Sequence, residues 1–328
     1  MTTNPPDESQ FRHPWERPIF FASVVLNLTL MAAAIILVNV GADWLDAHPF
    51  IHKHMKEIRV LAVAAVFILP TVVFIRRTRM ASILGNSVRL SRQQLPEIHG
   101  ILEDHCRRLG IDRVPDLYVT DKAVPAPSLA FSTWNHDCIA LSARFIERKP
   151  EKSRDVLSFI LAREIGRLRL GHTKPLYEVM IAYMSKIPYL RNPLTQVETL
   201  SLDRYGAYLE PNVIPGLMIL ACGRRLVGLV RVPHYLETVD TYGGFWAVVS
   251  NLYKPQLHIS FRVRALRKAG LLQFDPIAYE ANLERERIKE RMKKEKKEKR
   301  KAQKAKDKEK RNKDKVDEIE QSRRMTMP

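Results

Sequence analysis

Leu161-Ala162-Arg163-Glu164-Ile165-Gly166-Arg167-Leu168-Arg169-Leu170-Gly171-His172 is the stretch on which the reading of this chain turns. It is expected to be a helix running towards Leu170, with Ser153 or Asp155 as its cap. Arg163 and Arg167 stand four apart and so share one helix face, with Glu164 beside the first. A guanidinium stays protonated in a protein and offers no lone pair to a metal. If that face is buried, its two cations need carboxylates nearby.

The 328 residues suffice for one or two domains. An apolar share of 45% is that of a folded protein with a sizeable core. The net charge of +18 is unevenly spread, because residues 281–328 alone hold 20 Lys/Arg against 11 Asp/Glu. Cys106, Cys138 and Cys222 are far apart, form no C-x-x-C pair, and are odd in number. The odd count argues against a disulfide framework, and reduced thiols in a cytosolic domain are expected.

Two uncharged runs precede that domain. The first, 19–42, is long enough to span a bilayer as a helix. A signal peptide would have a shorter apolar core. The second, Val60 to Ile75, gives roughly 24 Å of helix, which Arg59 and Arg76 extend by snorkelling. Pro70 is expected to kink it. The expectation is a transmembrane hairpin over 19–80 (spans 19–42 and 59–76) after a cytoplasmic segment 1–18; the alternative is a single anchor, with 60–75 a buried core helix. Arg76, Arg77 and Arg79 at its exit place both ends inside by the positive-inside rule.

Beyond Leu90 the pattern is that of a soluble domain. Ile98, Ile101, Leu102, Cys106 and Leu109 recur at helical spacing over Pro96–Leu109, and Gly110 stops the helix. Leu117–Thr120, Ala130–Thr133 and Cys138–Leu141 are strand candidates, the last two around a turn at Asn135-His136-Asp137. Residues 176–193 are read as an apolar helix or loop that flanks the cleft of the domain and can touch the membrane surface. Tyr242-Gly243-Gly244-Phe245-Trp246 is read as a turn whose aromatics enter the core.

The order of these features resembles the membrane-anchored gluzincin peptidases of the heat-shock protease HtpX and CAAX prenyl endopeptidase type. The similarity covers about 70–270. It includes Pro96-Glu97, Gly110-Ile111, Val114–Val119 and the segment Leu129-Ala130-Phe131-Ser132-Thr133 in place of the family's N-A-F-A-T-G strand. On the motif helix, Glu164, Gly166, Gly171 and His172 match H-E-L-G-H-x-x-x-G-H. Asp203, Arg204 and Gly206 match the end of E-x-x-A-D-R-x-G, and Arg262-Val263-x-x-Leu266 matches a segment near the end of the domain. The resemblance implies an α+β, mainly helical, zincin-like metallopeptidase domain at 81–280. In it Glu164 is the remnant general-base position, and Leu129, Ala130, Phe131, Ser132 and Thr133 are the edge against which an extended peptide adds.

The departures fall on the metal. The two His of H-E-x-x-H bind zinc from one helix face, and a third ligand follows on a later helix. Those three positions are Arg163, Arg167 and Thr199 here. No metal and no cofactor are expected, and Asp203, Glu198 and His172 become second-shell or salt-bridge candidates for the arginines. The alternative is an active metalloendopeptidase that holds zinc through His172, Glu164 and Glu198.

After Asp275-Pro276 comes a tail, 281–328, that is rich in Lys and Glu and lacks aromatic residues, Pro and Gly over 283–320. It is expected to be a solvated helix or disordered, since it has nothing with which to build a core. Its basic stretch 283–324 is a candidate for anionic lipid or RNA, with no specific DNA binding expected. The leading expectation is thus a catalytically inactive, multi-pass cell-membrane protein with a cytoplasmic domain, acting as a binding or regulatory scaffold for a peptide or protein client. The last alternative is a structural membrane protein whose basic tail does the work.

Overall fold

The computed structural model describes residues 6–39, 53–121, 127–133, 136–143, 146, 154–187, 189–223, 226, 229–272 and scattered positions between 281 and 303. The chain divides into two compact units, Met1–Gln273 and Phe274–Pro328. In the second, the described positions from Ala281 to Gln303 are helical and exposed. Most of the basic stretch 283–324 lies outside the described residues.

The first unit is α+β and mainly helical. Helix α1, Glu16–Asn39, is long and apolar enough to cross a membrane. It starts three residues before the expected run. The first turn therefore ends up carrying Glu16, an acid at the positive end of the helix dipole. Helices α2, Met55–Val66, and α3, Ile68–Gly85, meet at Phe67 with a bend of 40°. The kink expected of Pro70 thus falls three residues earlier. A proline ring clashes with the carbonyl of residue i−4, here Val66, so α2 stops there and Pro70 enters the first turn of α3, where its missing N–H costs least. Helix α1 packs along α2. The turn between them lies outside the described residues.

A four-stranded mixed sheet follows, in the order β1-β2-β4-β3. Its strands are β1 (Val88–Arg89), β2 (Asp116–Thr120), β3 (Ser128–Ser132) and β4 (Asp137–Ser142). Helix α4, Pro96–Arg108, connects β1 to β2 and buries the expected stripe Ile98, Ile101, Leu102 and Cys106. One sheet face, carrying Ile139 and Leu141, packs with α4 and with α5, Arg154–Arg169. The other, carrying Phe131, Cys138 and Ala140, receives Met80, Ile83 and Leu84 of α3. The expected caps of α5 fall differently: Ser153 lies outside the described residues, and Asp155 sits inside the first turn.

Helix α5 is buried on almost every side and is held between the sheet and α7, Asn192–Leu209. The approach is close because two glycines lack a Cβ. One added at Gly206 would sit 2.5 Å from a Phe159 ring carbon, and one at Gly166 would sit 2.8 Å from Tyr205. Around this pair lie α6 (Pro175–Met180), α8 (Val213–Cys222), α9 (Val232–Thr241), α10 (Phe245–Leu252) and α11 (Ile259–Lys268).

One expectation needs correction. The aromatics at the Gly243-Gly244 turn are not core: Phe245 is 72% exposed and Trp246 78%. Helix α10 buries Ala247 and Asn251, one helical turn apart, so its bulky residues face out. Residues 176–193 begin in α6, and Glu178, Ile181, Lys186 and Arg191 line a cleft, as a helix or loop flanking one would. Ile181, Met184, Leu194 and Val197 form a small core with Ile19, Phe20 and Leu26 of α1. Inside the apolar run, Asn27 donates to the Val179 carbonyl at 3.3 Å and accepts from the Tyr183 amide at 2.8 Å. The carboxamide thereby satisfies itself and the irregular backbone beside it, as an apolar environment requires.

Candidate functional site

The two arginines of α5 take different partners. Arg163 places Nε 2.9 Å from Oδ1 of Asp203, whose side chain has no exposed surface. The contact is an ion pair without the in-line geometry of a hydrogen bond. The hydrogen bonds to that carboxylate come from Arg262 of α11, which donates Nε to Oδ2 and Nη2 to Oδ1, both at 2.6 Å. Asp203 is thus clamped by a fork from α11 and faced by a second cation from α5. Burial, and then the neighbouring Arg262, push the Arg163 guanidinium down to about 10, against the pull of Asp203. It remains a cation at neutral pH. Fork-on-carboxylate pairing is the strongest geometry available to arginine, and it explains how three charged groups coexist in the interior.

Arg167, a third exposed, lies 3.5 Å from Glu164. Glu164 itself is buried and turned to the sheet. Its Oε1 accepts from the Ser128 hydroxyl at 2.8 Å, and its Oε2 accepts from the Ala130 amide at 2.9 Å. The position expected of a general base therefore serves as a cap on a strand edge.

That edge decides the peptide-groove expectation. The bonds Ser142 N–H to Pro127 O and Thr133 N–H to His136 O fix the alternation, so 127, 129, 131 and 133 face β4. Only Ser128, Ala130 and Ser132 face outward. Glu164 takes the Ala130 amide, and Arg76 donates to the Ser132 carbonyl at 3.0 Å. Two of the outward backbone groups of this edge are thus taken by side chains of this chain. A strand added there would have to displace a buried carboxylate and a guanidinium from them.

The remaining candidates are each engaged. Thr199 returns its hydroxyl to the Thr195 carbonyl of its own helix at 2.8 Å. Glu198 accepts the Tyr177 hydroxyl, whose pKa rises through burial and the adjoining carboxylate. His172 is buried, with Nε2 3.0 Å from Oε1 of Glu16. Glu16 also takes Arg12 at 2.5 Å and the Ser201 hydroxyl. The structure brings Arg163 and Asp203 together and Arg167 and Glu164 together, but it sends Glu198 and His172 elsewhere.

Sequence reasoning missed this N-terminal anchor. Phe11 is buried against Tyr205, with ring centroids 4.3 Å apart, and Arg204 donates to the Arg12 carbonyl at 3.0 Å. The signal was present. An Arg and a Glu four apart at the mouth of an apolar run, with Asn27 inside it, are polar groups that need partners. Arg262 had no such signal, because its partner lies 59 residues away in the chain.

The zinc implied by the resemblance does not fit these residues. Two of the three positions carry guanidiniums, which have no lone pair. The third carries a hydroxyl bonded to its own helix. Glu164, Glu198 and His172 each face a different partner, and no group of three or more His, Cys, Asp or Glu that could hold a metal ion occurs among the described residues. Beside Glu164 a cleft of about 360 Å³ opens between α3, β3 and α7, lined by Arg167, His172 and Glu198 among others. Comparison of the chain with protein-family profiles, curated proteins and solved structures found no match.

Proposed function

We propose that this chain is a membrane-anchored, catalytically inactive homologue of gluzincin metalloendopeptidases, working as a binding or regulatory scaffold at the cytoplasmic membrane face. In this reading α1 and the bent pair α2–α3 are two membrane spans with both ends inside, and the domain beyond Leu90 is a zincin-type fold without its metal. The observation that carries it is the use of the α5 face. Where two zinc-binding imidazoles would stand, Arg163 sets its charge against Asp203, the carboxylate that Arg262 holds, and Arg167 faces Glu164. The acid that would activate a water instead caps Ala130.

Purified full-length protein in detergent is then expected to show no proteolysis of an unfolded substrate above the level of a Glu164→Gln variant. Turnover that depends on Glu164 contradicts the inactive reading. Alkaline carbonate should leave the chain in the membrane fraction, and a reporter fused after Met80 should be cytoplasmic. Release of the chain, or an external reporter, contradicts the anchoring part alone.

A further inference from the structure

The cleft beside Glu164 runs along one face of α3. Val72, Ile75, Arg76, Arg79 and Ile83 line it, at the spacing of a single helix face. Along that face Val72 and Ile75 are aliphatic, Arg76 and Arg79 bring two guanidiniums one turn apart, and Met80 and Ile83 are apolar again. The first guanidinium, Arg76, stands where the uncharged run of the sequence ends. In a bilayer such a boundary lies where acyl chains give way to headgroups.

The opposite wall repeats the division. Leu129, Phe131 and Ile181 supply apolar surface, while Arg167, Lys186 and Arg191 supply charge. Counting Arg76 and Arg79, five cations line the cleft against the two carboxylates Glu178 and Glu198. Both carboxylates are engaged, Glu178 by Arg76 Nε at 2.8 Å and Glu198 by the Tyr177 hydroxyl. Arg76 is also held by the carbonyls of Ser132 and Thr173. Arg79, Lys186 and Arg191 make no ion pair among the described residues. The cleft therefore carries surplus positive charge beside an apolar wall continuous with a membrane-type helix. A volume of about 360 Å³ falls in the range of small-molecule sites.

We propose that this cleft binds the phosphate headgroup of an anionic phospholipid, with Arg79, Lys186 and Arg191 on the phosphate and an acyl chain along Val72 and Ile75. Arginine is suited to phosphate by its fork of donors, and basic pockets beside membrane helices are where acidic headgroups lodge. The inference rests on the membrane reading of α2–α3 but not on the absence of zinc. A free phosphate ester shares the headgroup chemistry and lacks the chain, which makes the two separable.

The test is native mass spectrometry of the full-length protein in detergent, titrated with phosphatidylglycerol or phosphatidylcholine, with glycerol 3-phosphate as competitor. Phosphatidylglycerol should bind well above phosphatidylcholine. Arg79→Gln with Arg191→Gln should weaken it about thirty-fold, on the basis of roughly 1 kcal/mol per cation. Changing Lys293, Lys294, Lys296, Lys297 and Lys299 of the tail to Gln should leave it unchanged. Equal binding of the two lipids, or a loss on tail neutralisation alone, overturns the proposal. Glycerol 3-phosphate binding as tightly as the lipid overturns the lipid assignment in favour of a soluble phosphate ester. Selective binding that needs Arg79 and Arg191, in a chain that carbonate releases from membranes, supports the cleft and refutes the anchoring reading instead.

Discussion

Arg262 and Asp203 form a two-bond fork, each bond 2.6 Å, in a place where the carboxylate has no exposed surface. Arg163 adds a second positive charge 2.9 Å away. The pairing joins α11 to α7 and sits under α5, so the end of the domain is fastened to its centre by a buried charge.

An ordering of stabilities follows from this asymmetry. Asp203→Ala strands two buried guanidiniums and is expected to cost about 3–5 kcal/mol. Arg262→Met removes both hydrogen bonds and should come close to that. Arg163→Met leaves a matched fork behind and should cost about 1 kcal/mol or less. Urea unfolding of the detergent-solubilised variants checks the order, and Arg163→Met as the worst of the three contradicts it.

The segment around Phe11 is predicted to be held as part of the domain. Phe11→Ala empties the space against Tyr205 and is expected to cost about 3–5 kcal/mol. Trypsin should then cut after Arg12 much faster than in the wild type. Equal cutting rates would mean that the segment is already free.

His105 gives a pH signature. Burial pushes its imidazole down to about 4, and its Nε2 lies 3.1 Å from the Ser158 carbonyl and 3.0 Å from the Ser158 hydroxyl. The unfolded chain takes up the proton near pH 6.5, whereas the folded chain refuses it until about 4. Stability is therefore highest above pH 6.5, falls between 6.5 and 4, and is flat below from this group, losing about 3 kcal/mol in all. His105→Gln should flatten that slope in a series of unfolding curves between pH 7 and 4. An unchanged slope would assign it to the carboxylates.

Gly206→Ala tests the close crossing of α5 and α7. The new methyl would meet the Phe159 ring at 2.5 Å and the Arg163 chain at 3.1 Å. Overpacking of this kind costs about 1–3 kcal/mol. A neutral or stabilising result in thermal unfolding would show that the helices can part.

What the sequence made legible is what is local. The stripe of α4, the strands β2 to β4 and the long apolar α1 follow from spacing within a dozen residues, and the structure has them within a few residues of expectation. The pair Arg163 and Asp203 was also within reach, because two cations on one face demand an acid and only a few were placed to serve. Glu164 was harder: a buried carboxylate can satisfy itself on backbone amides, and no pattern announces which strand will offer them. Helix α10 shows the limit most plainly. Its apolar residues imply burial, but the arc that faces inward carries Asn251, which accepts from the His258 amide, a contact with no trace in periodicity. Arg262, Glu16 and His172 are joined to their partners only by the tertiary fold.

The central claim is that the α5 face has exchanged a metal for paired charges. Zinc stoichiometry of the purified full-length protein, measured by elemental analysis after removal of loosely bound metal, tests it most directly. The account predicts far less than one zinc per chain, unchanged in Glu164→Gln and His172→Ala. One tightly held zinc per chain, lost when Glu164 or His172 is replaced, would contradict it.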